Sequence, residues 1–401
     1  MHSLYCSKSA SLKGKRICLC VTGSIAAVET VKLARELRRH GAEVHPIMSR
    51  SAKDIIHPNA LSFATGNDVI ETITGKVEHV LLAGDSDSKA DLILVCPCTM
   101  NTLSKIALGV ADTAPTLFVA TGISHIPVML VPTMHQTMFE SRIVQDHLAY
   151  LKSMGVKILH GLGEEGKIKM PSTERIVFEV KKTLSENDLF GKSALVSAGP
   201  TIERIDDVRF ISNKSTGKMG IAIAEELEAR GAKVRLALGR TSESSLVSDI
   251  VRRESYGEMY EEILNGKEHD IYVLSMAASD FKPEKTTGKI SSEGNVSLEL
   301  SPNKKIISDL RERTNAFIVG FKAEHSISEE ELIERAKSSL KKNNADMVVA
   351  NDVGREKRGF EHDTNEVYIV SKDGTLTHLP LSSKREIAKG IVDEMARNIN
   401  T

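Results

Sequence analysis

Two stretches of the chain repeat the same order of apolar and polar positions. Residues 16–21 are mostly apolar, a turn of small residues follows, residues 28–40 carry apolar side chains at helical spacing, and a second apolar run ends at Met48. Residues 193–238 follow the same order, with a much longer polar loop after the first apolar run. This order is typical of a strand, a helix and a second parallel strand. The pattern therefore predicts an α/β protein with two doubly wound domains in tandem.

The boundary between the two domains is predicted in the polar stretch 183–191, which gives a first domain of residues 1–188 and a second of residues 189–401. Further apolar runs predict buried strands at 90–98, 127–132, 271–276, 316–321 and 347–351. Near the C-terminus, the runs 366–370 and 375–379 flank a turn that contains Asp-Gly, which indicates a β-hairpin.

The composition narrows the class of protein. The chain has 53 basic and 54 acidic residues, so it lacks the broad positive surface of a protein that binds nucleic acid or membranes. No run approaches about 18 apolar residues, and the first residues do not resemble a signal peptide. An odd number of cysteines favours a reducing compartment. We therefore expect a cytoplasmic protein that acts on small molecules.

The cysteines permit two interpretations. Along a strand, alternation would place Cys18 with Cys20, and Cys96 with Cys98, on shared faces. Four converging sulfurs are able to bind a metal, but the usual metal spacing is wider and free cysteines are commonly buried as small apolar side chains. Burial is the favoured interpretation.

The long loop at 197–220 is the strongest local signal for a site. It joins a strand to a helix, where most connections are short, and it carries polar and cationic residues, namely Asn213, Lys214, Ser215, Thr216 and Lys218. Gly217 and Lys218 suggest a P-loop, but that motif requires a glycine where Ser212 stands and a hydroxyl where Met219 stands. The loop is therefore predicted to bind a nucleotide or phosphate in another way.

The first half contains weaker candidates. The turn 23–27 (Gly-Ser-Ile-Ala-Ala) suits a phosphate monoester at the start of a helix, and the segment 97–101 supplies hydroxyl and amide groups after a strand. His79 and His135 are candidate acid–base groups near neutral pH. A single histidine beside apolar residues is equally compatible with a structural role.

Taken together, the ordered motifs resemble one family along nearly all of residues 14–398. They are 23–27, 77–82 (Val-Glu-His-Val-Leu-Leu), 97–102 (Pro-Cys-Thr-Met-Asn-Thr), 109–112, 132–138, 198–201, 211–220, 319–324 and 350–353. The chain resembles the bifunctional flavoproteins that fuse phosphopantothenoylcysteine decarboxylase to phosphopantothenate–cysteine ligase, in a variant of archaeal type. The resemblance implies a flavodoxin-like FMN domain followed by a Rossmann-like ligase domain.

For the first half, the resemblance implies that FMN is bound through Gly23, Ser24, Ala26, Ser49, Thr99 and Asn101, and that His79 is catalytic. In the family, the flavin oxidises the cysteinyl thiol to a thioaldehyde, which allows CO₂ to leave, and the product is then re-reduced and protonated. The cofactor supplies the redox chemistry, while the protein orients the substrate and moves protons.

The sequence departs from many bacterial members at two places. His135 replaces an asparagine that binds the substrate carboxylate, and the segment 163–171 lacks the family's catalytic cysteine. Another group must therefore provide the last proton. The candidates are His135, Glu164, Glu165 and Lys167.

For the second half, the resemblance implies that CTP activates 4′-phosphopantothenate as an acyl-cytidylate, which cysteine then attacks. Such chemistry needs cationic groups on the phosphates, usually with Mg²⁺. Asn213 and Lys289 match catalytic residues, and Asp280 suits a metal ion or a nucleotide. The other matching nucleotide contacts are Lys304, Lys305, Ile306, Ile307, Phe321, Lys337 and Lys341. Lys337 and Lys341 match triphosphate contacts of the family only if the alignment is shifted by one residue.

The resemblance also implies a homo-oligomer, with trimeric flavin domains, dimeric ligase domains and a closed assembly such as a dodecamer. Two alternative functions are compatible with a tandem α/β chain. A tandem NAD(P)-dependent oxidoreductase requires a Gly-x-Gly-x-x-Gly motif, which the segment 197–202 does not contain. A ligase fused to a decarboxylation-deficient flavoprotein, acting as a regulatory or interaction module, is the second alternative; the retained His79 disfavours it.

Overall fold

The computed structural model describes residues 4–161, 163–291, 295–356, 358–359 and 361–399. The chain divides into two compact units, Met1–Leu184 and Ser185–Thr401, called unit 1 and unit 2 below. Both are α/β units built on parallel strands, which confirms the predicted fold class. In the described ranges, no helix is long and apolar enough to cross a membrane.

Unit 1 is built around a five-stranded parallel sheet with the strand order β2-β1-β3-β4-β6, which is the flavodoxin-like order. Its elements are β1 Arg16–Val21, a 3₁₀ helix Ile25–Glu29, α1 Thr30–Arg39, β2 Glu43–Met48, α2 Arg50–Lys53, α3 Pro58–Thr65, α4 Glu78–Ala83, β3 Leu92–Cys98, α5 Met100–Ala107, α6 Ala114–Gly122, β4 Val128–Pro132, β5 Met134–His135, α7 Gln136–Phe139, α8 Arg142–Ser153, β6 Lys157–Ile158, β7 Gly163–Glu164, β8 Lys167–Ile168 and α9 Thr173–Thr183. Strands β5, β8 and β7 form a separate antiparallel sheet.

Helices cover both faces of the main sheet. Every residue of β3 and β4 is buried, as expected for parallel strands between two helical layers. One face packs against α1, α3 and α9, and the other against α4, α5, α6 and α8. The helix predicted over 28–40 begins later, because the chain first makes the 3₁₀ turn and α1 starts only at Thr30.

The expected arrangement of the cysteines is correct for one pair and wrong for the other. Cys18 and Cys20 pack on the same side of the sheet, but Cys96 packs on the opposite side from Cys98. The register of the β3–β4 ladder shifts between Val95 and Cys98, so the alternation is broken there. Among the described residues, no group of three or more His, Cys, Asp or Glu side chains could hold a metal ion. Burial raises the pKa of the Cys18 thiol to about 12, consistent with an inert apolar role.

Unit 2 contains an eight-stranded sheet with the order β13-β12-β9-β14-β17-β18-β19-β20. Its elements are β9 Ser193–Ala198, β10 Ile202–Arg204, β11 Phe210–Ser212, α10 Lys218–Ala229, β12 Lys233–Leu238, β13 Asp249–Arg252, α11 Tyr256–Asn265, β14 Ile271–Leu274, β15 Phe281–Pro283, β16 Leu300–Pro302, α12 Ile306–Arg311, β17 Phe317–Glu324, α13 Glu329–Asn343, β18 Met347–Asp352, β19 Thr364–Ser371, β20 Leu376–Ser383 and α14 Lys384–Ile399.

The first six strands of this sheet are parallel and follow the Rossmann order 3-2-1-4-5-6. Strands β19 and β20 extend it as an antiparallel hairpin, which confirms the predicted hairpin. The long loop predicted over 197–220 is more ordered than expected, because β10 and β11 pair within it as an antiparallel ribbon. A second ribbon, β15–β16, follows β14.

Helix α10 packs very closely on the sheet at the end of the long loop. A Cβ on Gly220 would lie 2.3 Å from the Ser275 Oγ and 2.6 Å from the Ala198 Cβ. Only glycine allows this approach of the helix to β9 and to the residue that follows β14. The helix N-terminus is thereby held against the carboxyl ends of two central strands.

Candidate functional site

Three predicted FMN-binding hydroxyls lie at the carboxyl ends of adjacent strands in unit 1. Ser24, Ser49 and Thr99 follow β1, β2 and β3, and each accepts a hydrogen bond of 3.3 to 3.4 Å from an amide two or three residues ahead. They therefore cap the helices that begin there. Ala26 lies in the 3₁₀ helix and Asn101 is exposed in the first turn of α5. Ligands bind at this edge of an open α/β sheet.

The space around residue 23 admits only glycine. A Cβ at this position would lie 2.5 Å from the Ser51 Oγ. Ser51 in turn lies 3.2 Å from Ser49, hydroxyl to hydroxyl. The turn thus brings the backbone at Gly23 close to the hydroxyl groups of Ser49 and Ser51. Ser51 was missed in the sequence, although its position two residues after Ser49 was a usable signal.

Thr22 joins the two strands at which the strand order reverses. Its hydroxyl donates to the Pro97 carbonyl at 2.7 Å and accepts from the Thr99 amide at 3.1 Å. The side chain is 1% exposed. This residue, which the sequence did not single out, fixes the separation of β1 and β3 where the turn at Gly23 leaves the sheet.

His79 lies on the short helix α4 and is half-buried. Its Nδ1 is buried and has no hydrogen-bond partner among the described residues. The helix begins after Val77, whose φ of 47° is unusual for a β-branched residue. An unsatisfied buried ring nitrogen costs stability, and the catalytic role of His79 stays a prediction.

Three of the four candidate proton donors are brought together in the small sheet of unit 1. His135 in β5 is paired in register with Lys167 in β8, and Lys167 is paired with Glu164 in β7. Glu165 lies at the turn between β7 and β8, with φ of 51°. His135 and Lys167 are exposed. Sequence spacing did not indicate this pairing, because about 30 residues separate β5 from β8.

Unit 2 contains a cavity of about 1370 Å³ at the carboxyl ends of its central strands. It is bordered by the long loop and the N-terminal turn of α10, by the segment after β14, and by residues of α12, β17 and α13. The predicted residues Asn213, Asp280, Lys304, Lys305, Ile306, Ile307 and Phe321 all line it. The structure thus brings together residues that are up to about 100 positions apart in the sequence.

Asn213 is held in place by the segment after β14. Its amide Nδ2 donates to the carbonyls of Ala277 and Ala278, both at 3.1 Å. Thr201, which is fully buried, accepts a hydrogen bond from the Ser279 amide at 3.0 Å. The start of the loop is therefore fastened to the end of β14, much as Thr22 joins β1 and β3 in unit 1.

Asp280 forms an ion pair with Lys305, Oδ1 to Nζ, at 2.5 Å, and both side chains are largely exposed. Asn303 supports this side of the cavity by donating to the carbonyls of Asp280 and Ser279 at 2.8 and 2.9 Å. Lys304 lies over the ring of Tyr260, 5.8 Å from its centroid. Two cations and one carboxylate therefore border the same rim.

Three predicted residues do not line the cavity. Lys289 is exposed on the segment that connects β15 and β16. Lys337 pairs with Glu334 at 2.8 Å, and Lys341 lies on the same side of α13. The cavity is lined instead by Ser338, Ser339 and Lys342 of this helix. Ser338 and Lys342, which directly follow Lys337 and Lys341 in the sequence, therefore face the site.

Lys384 is a cavity residue that the sequence did not single out. It is 7% exposed, and its Nζ donates to the Gly359 carbonyl at 3.1 Å. Burial, together with Lys218, lowers the pKa of Lys384 to about 8. Lys218 itself pairs with Asp363 at 2.6 Å. The local sequence around residue 384 does not indicate that it lies near the long loop, because only the tertiary fold brings α14 to the cavity.

Comparison with known proteins gives matches along the whole chain. Residues 6–185 match the Flavoprotein family, and residues 189–399 match the family described as DNA/pantothenate metabolism flavoprotein C-terminal domain. The two matches correspond closely to units 1 and 2.

Individual relatives carry both units in one chain. A coenzyme A biosynthesis bifunctional protein CoaBC of Thermococcus kodakarensis is 48% identical over 399 residues, covering 98% of each chain. The protein of the same description from Methanocaldococcus jannaschii is 38% identical, covering 98% of this chain and 96% of its own. That from Bacillus subtilis is 33% identical, covering 96% and 97%.

Proposed function

Because the chain belongs to the family of bifunctional coenzyme A biosynthesis proteins, CoaBC, we propose how its two units divide the work. The protein is an enzyme with ligase and decarboxylase activities. Unit 2 joins 4′-phosphopantothenate to cysteine, and unit 1 decarboxylates the product to 4′-phosphopantetheine. The observation that most directly supports a ligase site is that Asn213, Asp280 and Lys305 line the same cavity in unit 2.

Ligation requires that the carboxylate first be activated. With CTP as the nucleotide, the substrate carboxylate attacks the α-phosphate, pyrophosphate leaves, and an acyl-cytidylate forms. The amine of cysteine then attacks the acyl carbon and CMP leaves. The developing negative charge on the phosphates needs cationic partners. Lys304 and Lys305 at the cavity rim, with Lys289 on the neighbouring segment, are assigned to this role, and Asp280 is assigned to Mg²⁺.

Asn213 is assigned to the acyl-cytidylate. Its amide nitrogen is already committed to two carbonyls, so the orientation of the side chain is fixed before the substrate binds. Phe321, Ile306 and Ile307 provide apolar contacts in the same cavity. On α13, Ser338 and Lys342 are placed better for the triphosphate than Lys337 and Lys341, because they line the cavity.

The strand ends of unit 1 fit a flavin phosphate. The turn at Gly23 leaves no room for a Cβ, and amides and hydroxyls converge where phosphate groups bind in this fold. We assign FMN to Gly23, Ser24, Ala26, Ser49, Thr99 and Asn101, with Thr22 and Ser51 supporting the turn. The flavin supplies reversible oxidation of the substrate thiol. His79 is assigned the proton transfer near the thiol, and the sheet containing His135 and Lys167 supplies the last proton.

A homo-oligomer is part of the proposal. Exposed apolar side chains flank both parts of the flavin site, with Ile25 beside the phosphate turn and Val80 and Leu81 beside His79. An interface that covers these side chains removes apolar surface from water. We propose trimeric flavin units and dimeric ligase units, which together form a closed dodecamer. Light scattering combined with size-exclusion chromatography measures this mass directly.

One incubation tests both activities. The purified protein is supplied with 4′-phosphopantothenate, cysteine, CTP and Mg²⁺, and the products are followed by mass spectrometry. Formation of 4′-phosphopantetheine with CMP is the expected result. A reaction that stops at phosphopantothenoylcysteine would instead support the alternative, a ligase fused to a decarboxylation-deficient flavoprotein. Replacing CTP by ATP in a parallel reaction tests the choice of nucleotide.

A further inference from the structure

Two short ribbons leave the rim of the cavity in unit 2 side by side. The β10–β11 ribbon ends at Ser212, next to Asn213, and the β15–β16 ribbon begins at Phe281, next to Asp280. The β10–β11 turn contacts the segment 285–290, which follows β15 and carries Lys289. Both ribbons therefore start from residues of the proposed ligase site and meet again at their outer ends.

The carboxylate of Asp206 is the centre of this contact. It is fully buried and accepts hydrogen bonds from the amides of Val208 and Arg209 in its own turn, at 2.7 and 2.6 Å. Its second oxygen accepts from the amide of Ile290 at 3.1 Å. The guanidinium of Arg209 bridges the same two partners, with 3.1 Å to Asp206 and 3.2 Å to the Ile290 carbonyl. The residue directly after Lys289 is thus fixed through both its amide and its carbonyl.

Asp207 fixes the residue on the other side of Lys289. Its carboxylate accepts from the Gly288 amide at 2.9 Å, and its own amide donates to the Gly288 carbonyl at 3.1 Å. Lys285 pairs with the same carboxylate at 3.1 Å. The backbone on both sides of Lys289 is therefore held by one turn, while its side chain remains exposed.

We infer that Asp206 is a positioning residue for ligation, which acts by fixing the backbone from which Lys289 projects. The inference rests on the role proposed for Lys289. A buried carboxylate that accepts three amides and a guanidinium is an ordered anchor, since each partner is a donor and the carboxylate is an acceptor at every contact. Although burial raises it, these hydrogen bonds and Arg209 lower the pKa of Asp206 overall, so the anchor stays ionised at neutral pH.

The variant Asp206→Asn tests this inference, because an asparagine of the same shape turns an NH₂ group toward backbone donors. Four full-length proteins are compared: the wild type, Asp206→Asn, Lys289→Gln and the double variant. We expect Asp206→Asn to lower kcat for ligation by about 10- to 100-fold, as misplaced catalytic groups do, with KM for CTP nearly unchanged. In the Lys289→Gln background, Asp206→Asn should cause no further loss.

Two further measurements separate positioning from general destabilisation. Trypsin should cut Asp206→Asn faster after Lys285 and Lys289 than it cuts the wild type. The control is Asp373→Asn, in which the same kind of turn hydrogen bond, 2.9 Å to the Thr375 amide, is lost outside the cavity; its ligation rate should equal that of the wild type. If Asp206→Asn does not fold, Asp207→Asn breaks the contact to Gly288 and should show a smaller loss with the same dependence on Lys289.

The outcomes are distinguishable. Two results would overturn the positioning role while the proposed role of Lys289 stands. In the first, Lys289→Gln is slow but Asp206→Asn ligates as fast as the wild type. In the second, Asp206→Asn causes a further loss of rate in the Lys289→Gln background. If Lys289→Gln ligates at the wild-type rate, the proposed role of Lys289 is wrong and the inference is overturned with it.

Discussion

The Nζ of Lys305 lies 2.5 Å from the Oδ1 of Asp280 at the rim of the unit 2 cavity. The two side chains are 65% and 68% exposed, so the pair is weak and easily rearranged. If Asp280 binds Mg²⁺, as proposed, the ion would compete with Lys305 for this carboxylate, and the ammonium group would become available to a phosphate. On that proposal, the pair would couple metal binding to nucleotide binding.

The variant Lys305→Met should separate these two effects. Without Lys305, Asp280 would no longer form an ion pair, so Mg²⁺ would bind it without competition. The Mg²⁺ concentration for half-maximal ligation should therefore fall by up to about fivefold, which corresponds to the free energy of an exposed ion pair. KM for CTP should rise, because a phosphate contact is lost. Ligation rates measured over a Mg²⁺ titration check both effects. Lys372→Met, which removes an ion pair with Asp346 away from the cavity, is the control. An unchanged Mg²⁺ dependence would argue against Asp280 as the metal ligand.

The variant His79→Asn should abolish the release of CO₂ while the flavin stays bound. Its half-buried ring has an unsatisfied Nδ1, and loss of an acid–base group typically costs about 10²- to 10⁴-fold in rate. CO₂ release from phosphopantothenoylcysteine and the visible flavin spectrum are the two measurements. His125→Asn, an exposed histidine of the same unit, is the matched control. A flavin-loaded variant with full activity would remove His79 from the mechanism.

The variant His135→Gln tests the source of the last proton. His135 is exposed and paired in register with Lys167, and both side chains are candidates for the donor. If His135 is the donor, CO₂ should still be released in the variant, but 4′-phosphopantetheine should form more slowly than CO₂. Lys167→Gln is assayed in parallel, and a mismatch between CO₂ and product in that variant alone would assign the donor to Lys167. Equal yields in both variants would exclude this sheet.

The variant Lys384→Met should be more stable than the wild type at neutral pH. The pKa of Lys384 is lowered to about 8 in the folded protein, against about 10.4 in an unfolded chain. Below pH 8 the buried charge costs stability, and this cost is relieved as the pH rises from 8 to 10.4, because the unfolded state then binds more protons. The expected gain is about 2 kcal/mol at pH 7.

Urea unfolding at pH 7 and at pH 10 measures this difference for unit 2. The gain of Lys384→Met over the wild type should shrink strongly at the higher pH. Lys389→Met, on the same helix and more exposed, should show no such pH dependence. A pH-independent gain would mean that Lys384 acts through packing alone.

The regular elements of the fold were accessible from the sequence because they are long and periodic. The apolar runs at 16–21 and 193–198 and the amphipathic helices after them predicted two parallel α/β units. The hairpin of β19 and β20 was equally clear from its Asp-Gly turn. Short elements were not accessible, because the three residues of β10 or β15 show no measurable alternation. The ribbon that holds Lys289 therefore appeared only in the structure.

Candidate residues were predictable where they lie in a local motif and not where distant segments meet. Asn213 and Asp280 were named from their own loops, and the structure places both at one cavity. Lys384 lies more than 160 residues after the loop it faces, and no spacing rule connects them. On α13, the choice between Lys341 and Lys342 depends on the rotation of the helix about its axis, which is set by packing against β18.

The sequence by itself determined the two α/β units, their strands and helices, and the loops that carry polar residues, since periodicity and turn chemistry act over a few neighbouring residues. Only the tertiary structure decided which residues share a site. It reverses the strand order beside β1 and β9, pairs His135 with Lys167, and joins Asp206 by a hydrogen bond to the residue after Lys289. These contacts join residues that are distant in sequence. They form because burying the sheets and satisfying their backbone groups brings the strand ends together.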